Sequence, residues 1–208
     1  MAGALFLAGL LTGLALAAGI YVLLRGLVAP VPHGHALLIN TPQGSRVSFH
    51  PRALVPILHR GELIDLRTQA LPLRFLGSVG LVCRDSIRAD VEASLLVRVN
   101  PVPIDILRVA QAIGCERASD PEVLHTLLAG RTSEALATAV CRRDFSEHCA
   151  DLPNLSSIAL ESIGRELGGY VIDGLTITRF EQTDIAHLDP YNIQDARGMR
   201  RIRQLQEE

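Results

Sequence analysis

The chain of 208 residues contains no lysine: all 20 of its basic side chains are arginine. That pattern reads as the coding bias of a GC-rich genome, since the net charge is only −2 and no basic footprint for nucleic acid is visible. Tryptophan is absent and aromatic residues make up 4%, which argues against a base-stacking platform. Four cysteines (Cys83, Cys115, Cys141, Cys149) are too few for a disulfide scaffold and fit a reducing compartment. The chain also lacks a Gly-x-Ser-x-Gly elbow, a P-loop and a Gly-x-Gly-x-x-Gly turn. It has no Cys-x-x-Cys pair and no His-Glu-x-x-His helix, and neither His33-Gly34-His35 nor Glu147-His148-Cys149 has the spacing of zinc ligands. No enzyme, cofactor, metal or nucleic-acid partner is therefore expected.

A further absence is the most informative one. Ala2–Leu24 is 23 residues long without a charged side chain, and Arg25 closes it. At ~1.5 Å per residue such a helix is about 34 Å long, enough for a ~30 Å hydrocarbon core. A secretory signal peptide would have a basic start and a shorter apolar core, so residues 1–25 read as a transmembrane anchor. Arginines follow the segment (Arg25, then Arg46 and Arg52) and none precedes it, which favours a short N-terminus outside and the rest of the chain on the cytoplasmic side of the membrane. Gly9, Gly13 and Ala17 form a small-residue stripe that lets such helices pack closely.

Beyond the anchor the pattern is β first, then α. His35–Asn40 and Ser45–Phe49 read as strands around the turn Thr41-Pro42-Gln43-Gly44. Leu54–Leu58 and Glu62–Leu66 flank a turn at Arg60-Gly61; Leu71–Phe75 and Ser78–Cys83 lead into a turn at Arg84-Asp85-Ser86. Val91, Ala93, Leu95, Val97 and Val99 alternate with Asp90, Glu92, Ser94 and Arg98, the mark of a half-buried antiparallel strand, with Leu96 the break in its polar face. The period then changes to helical: Ile106–Ile113, a helix capped by Asp120-Pro121 and carrying Leu124, Leu127, Leu128, Ala135, Leu136 and Val140, and a third over about 154–167 stopped by Gly168-Gly169. Tyr170–Phe180 is a last strand, and a polar helix runs from about Asp189 to the end. Segregated strands and helices specify an α+β fold.

Three local runs carry a resemblance. Val82-Cys83-Arg84-Asp85-Ser86-Ile87-Arg88-Ala89-Asp90-Val91 and Leu96-Val97-Arg98-Val99-Asn100-Pro101 are the first two. The third is Arg179-Phe180-Glu181-Gln182-Thr183 with Leu188-Asp189-Pro190-Tyr191-Asn192-Ile193-Gln194-Asp195-Ala196-Arg197-Gly198. In this order, behind an N-terminal membrane segment, they resemble the SPFH (band 7) superfamily of stomatins, prohibitins, flotillins and HflK/HflC, most of all a bacterial inner-membrane flotillin. Ser86 stands where that family often has glycine, and only the first turns of its long coiled coil, Ala196–Glu208, are present. The resemblance implies an anchor at 1–25, an SPFH domain at 31–184 and the start of a coiled-coil helix at 189–208.

It also implies a scaffold that forms a large homo-oligomeric ring or cage, or a hetero-oligomer with a paralogue, on membrane lipids and gathers membrane-protein clients. The alternatives are an HflK/HflC-like regulator enclosing a membrane protease, with its domain on the outer side, and a membrane-tethered enzyme. Two segments bear on assembly. Leu54, Val55, Ile57 and Leu58 form an apolar run that either dips into the bilayer or packs in a core. Arg200, Arg201 and Arg203 either pair with a neighbouring subunit at the coiled-coil start or form a solvated face.

Overall fold

A computed structural model describes residues 13, 14, 16–19, 21, 28–53 and 60–207. Most of the expected anchor, including Gly9, and the run Leu54–Leu58 lie outside the described residues. Gly13, Leu14, residues 16–19 and Tyr21 are helical, and Leu14, Leu16 and Tyr21 are exposed. Among the described residues no helix is long and apolar enough to cross a membrane. The chain divides into two compact units, Met1–Asp65 and Leu66–Glu208.

In the first unit, β1 (Val28–Ala29) pairs with β4 (Arg52–Ala53), and β2 (His35–Thr41) lies between β3 (Gly44–Ser48) and β5 (Arg60–Asp65), all antiparallel. Ala36, Leu37, Leu38 and Ile39 are buried in succession, so both faces of β2 are covered there. Thr41 pairs with Gly44 across Pro42-Gln43, and the Thr41 hydroxyl donates to the Gly44 carbonyl at 2.6 Å. The turn expected at Arg60-Gly61 is not one: Gly61 pairs with Ile39 and Arg60 with Asn40 inside β5. Ladder pairing to the central strand overrides the local turn preference of glycine.

The second unit is a mixed α+β layer structure. Its sheet runs in the order β6 (Gln69–Phe75), β8 (Arg88–Val99), β10 (Tyr170–Gln182), β9 (Glu166–Leu167), all antiparallel, with β7 (Leu81–Val82) on the start of β8. The alternation in β8 is the reason for the layering. Ala89, Val91, Ala93, Leu95, Val97 and Val99 are buried, and every intervening residue is half-buried. Six helices follow from the same chain order: α1 (Pro103–Ile113), α2 (Cys115–Ala118), α3 (Pro121–Val140), α4 (Phe145–Ala150), α5 (Leu152–Ile163) and α6 (Ile193–Glu207). Helix α3 packs on α5, and α5 packs on β10. The Asp120 carboxylate accepts from the Glu122 amide at 2.9 Å and caps α3, with Pro121 in its first turn.

Two expected boundaries move. The helix expected over 154–167 ends at Ile163, because Gly164 adopts φ 83° and turns the chain. Leu167 is buried as a strand residue, paired with Tyr170. Gly168 and Gly169, with φ of 61° and 106°, form the two-residue hairpin loop between β9 and β10, a conformation that suits glycine at both positions. A Cβ on Gly169 would lie 2.6 Å from Val109 Cγ2 and 2.8 Å from the Asp105 carbonyl, so the hairpin also needs glycine to approach α1. The last helix starts at Ile193, not Asp189: the Asn192 side chain accepts from the Gln194 amide at 2.9 Å and caps it.

Leu95 is fully buried at the centre of the sheet, whereas Leu96 points to the polar face. Leu95→Ala should cost about 3 kcal/mol through lost burial and a residual cavity, and Leu96→Ala under ~1 kcal/mol. Urea unfolding of the two variants followed by circular dichroism checks the difference; equal losses would mean that the face assignment of β8 is wrong.

Candidate functional site at the root of the last helix

The first and third of the runs that carry the resemblance are far apart in sequence and meet at the start of β8. Arg88 opens that strand. Its Nε and Nη2 donate to Asp195 Oδ1 at 3.1 and 2.7 Å, and its Nη1 donates to the carbonyls of Gly80 and Ser78 at 2.7 and 3.2 Å. The side chains of Arg88 and Asp195 are only 12% and 6% exposed. The other Asp195 oxygen accepts from the Asp189 amide at 3.1 Å, so one carboxylate on α6 holds both the sheet and the turn that precedes the helix. Such a pair is costly to desolvate, and it persists because the donors and acceptors around it are matched.

A second polar knot lies two residues along the strand. Asp90 Oδ1 accepts from the Thr183 hydroxyl at 2.6 Å and from the Gly77 amide at 2.9 Å, and the Thr183 amide donates to the Arg88 carbonyl at 2.9 Å. Thr183 is fully buried. A Cβ on Gly80 would meet the Ala89 carbonyl at 2.8 Å and the Thr183 hydroxyl at 2.9 Å, so the segment before β7 closes over the knot only as glycine.

Apolar contacts complete the junction. Ile87, Leu188 and Ile202 form a buried cluster against which Phe145 and Met199 pack. Phe145 stacks on Phe180 at 5.4 Å between centroids. Helix α6 meets the β7–β8 turn backbone to backbone: a Cβ on Gly198 would collide with the Ser86 carbonyl oxygen. Ser86 itself has φ 67°, the one non-glycine residue with positive φ among the described residues. Its turn is held by Ser86 N–H to the Cys83 carbonyl at 3.0 Å and Cys83 N–H to the Ile87 carbonyl at 2.9 Å. One Asp85 oxygen accepts from the Ile87 amide at 3.2 Å and the other from the Phe145 amide at 3.1 Å, which ties the turn to α4. The serine therefore takes up the geometry glycine would adopt with less strain.

The remaining sequence-derived residues lie elsewhere. Arg200, Arg201 and Arg203 are exposed, on α6 faces turned from the buried Asp195–Gly198–Ile202 stripe. Asp144 is held below the usual carboxylate range by its hydrogen bond from Arg84, with a smaller contribution from the Arg201 charge. Gly13 and Ala17 sit in the helical N-terminal stretch, and a Cβ on Gly13 would touch nothing within 4 Å. His148 is buried with Nε2 2.8 Å from the Val140 carbonyl; that acceptor requires the proton on Nε2, which leaves this nitrogen unable to bind a metal. Among the described residues no group of three or more His, Cys, Asp or Glu is placed to hold a metal ion. Cys83 is buried, and burial pushes its thiol up to about 12, while Cys141 is exposed.

The Arg88–Asp195 pair was not read from the sequence, although the signal is present: Asp195, Gly198 and Ile202 share one face of a helix that is otherwise polar. Asp195→Ala should release α6, since removing one partner of a buried pair costs about 3–5 kcal/mol. Hydrogen exchange of the 193–207 amides should accelerate while β8 and β10 stay protected; unchanged protection would show that α6 is held by its apolar contacts alone. Ser86→Gly should stabilise the second unit by up to ~1 kcal/mol in urea unfolding.

No protein-family model matches the chain. A search of curated proteins finds a similarity to the Flotillin family inner membrane protein YqiK of Escherichia coli (strain K12), 28% identical over 166 residues. The matched region is 77% of this chain and 30% of that protein, so the chain spans about a third of the length of the relative. The chain is thus a relative of a flotillin-family inner membrane protein, which bears out the resemblance carried by its motifs.

Proposed function

We propose that the chain is a flotillin-like membrane scaffold. In this reading the N-terminal apolar segment anchors each copy in the inner membrane, the rest of the chain lies on the cytoplasmic side, and copies associate laterally into a ring or cage that organises lipids and membrane-protein clients. The observation that carries the reading is the convergence of the motif residues Ser86, Arg88, Asp90, Thr183, Asp195 and Gly198 on one junction, in a chain similar to a flotillin-family inner membrane protein. The junction fixes the direction in which α6 leaves the sheet. A scaffold needs such a fixed exit, because copies pack side by side only when each presents its helix at the same angle. Arg200, Arg201 and Arg203, exposed on that helix, then face the neighbouring copy, while Gly13 and Ala17 support packing of the anchors. Many weak contacts of this kind add up by avidity.

Particle mass in nanodiscs or mild detergent, measured by mass photometry, tests the assembly. A discrete particle of many copies is expected, and a clean monomer would overturn self-assembly of this chain. Orientation is tested by thiol labelling. Cys83 is unsuited because it is buried, and burial pushes its thiol up to about 12, which keeps it protonated at neutral pH. Cys141 is exposed and is the right reporter. A membrane-impermeant maleimide should label it in inverted vesicles and not in intact spheroplasts; the reverse would place the domain outside, as in HflK/HflC.

A further inference from the structure

Helices α1 and α3 and the β9–β10 hairpin enclose an open-mouthed cavity of about 250 Å³. Its wall includes Val109, Ile113, Leu124, Leu128, Leu167 and Tyr170. The Tyr170 hydroxyl is already engaged as a donor to the Ala118 carbonyl at 3.2 Å. Leu127 stands at the rim, half exposed, although its helical spacing predicts an inward side chain. Arg131, one turn further along α3, is the single charged side chain in the lining and is itself exposed. Among the described residues no carboxylate forms an ion pair with it.

An apolar chamber of this kind is poorly hydrated and favours an apolar occupant. Its size lies below the ~300–1,000 Å³ usual for drug-sized ligands, which suits one unbranched chain better than a sterol or a diacyl lipid. The one cation at the mouth selects the sign of the head group, and a guanidinium forms a bidentate pair with a planar carboxylate. We propose that this cavity binds the hydrocarbon chain of a single-chain carboxylate amphiphile, a fatty acid, with the carboxylate paired to Arg131. The lining shares no residue with the α6 junction, and the site stands or falls independently of the scaffold reading.

The test uses the full chain in amphipol, with methyl NMR signals of Leu124, Leu127 and Leu128 as reporters. Decanoate should shift these signals saturably. Affinity should rise roughly fourfold per methylene from hexanoate towards decanoate, as burial of each group adds a constant increment. Arg131→Glu should weaken decanoate about tenfold or more. Ala112→Phe, placed on the exposed wall of α1, should plug the chamber and abolish saturation. Both positions are exposed, so both variants keep the fold. Shifts that fail to saturate at millimolar decanoate, equal binding by Arg131→Glu, or equal binding of decyltrimethylammonium would each overturn the proposal. Particle mass is read separately, so loss of this site and loss of assembly are distinguishable.

Discussion

A buried charge pair must be matched on every side or it destabilises the fold that contains it. Arg88 and Asp195 meet that condition through four donations from one guanidinium and a third partner, the Asp189 amide, on the carboxylate. The pair links the first residue of the longest-paired strand to the first turn of the last helix. Around it the rest of the second unit is ordered: the segment before β7 closes through the Gly80 and Ser78 carbonyls, and the turn at 189–192 closes through the Asp189 amide. Polar matching sets the register here, and the apolar cluster of Ile87, Leu188 and Ile202 supplies the burial that makes the register worth holding.

Close backbone approach is the second constraint. Gly80, Gly169 and Gly198 each sit where a Cβ would overlap a carbonyl oxygen. Two of these positions join elements distant in sequence, the β9–β10 hairpin on α1 and α6 on the β7–β8 turn, while Gly80 lets the pre-β7 segment close on the neighbouring β8 and on Thr183. Ser86 is the counterpart, a side chain placed where glycine would be more comfortable, held at φ 67° by the turn hydrogen bonds on both sides. Strain in that turn is compensated by Asp85, which fastens it to α4.

These features suit a part that transmits position. The charged residues at the junction bond to one another and to backbone, and the exposed face of α6 is rich in arginine and glutamine. Its apolar stripe is used within the chain, on Ile87 and Leu188. Contacts between copies along α6 in the scaffold reading would therefore be mainly polar, with exposed Ile193 and Leu205 as its open apolar positions.

The local elements were legible in the sequence for physical reasons. Period-2 alternation over Asp90–Val99 marks a strand with one buried face, and Asp120-Pro121 marks a helix start, because both depend only on neighbouring residues. The order of elements, and with it the α+β class, follows from the same local signals. Tertiary pairing decided what local signals leave open. Arg60-Gly61 became strand because β2 supplied a ladder, and Leu167 became strand because Gly164 ended its helix earlier than the glycine pair suggested. The Arg88–Asp195 pair and the Gly198–Ser86 approach span more than a hundred residues, so neither spacing nor propensity announces them. Leu127 reads in the sequence only as part of the apolar spacing of α3; the packing of α1 and the hairpin beside that helix made it and Arg131 part of a cavity lining.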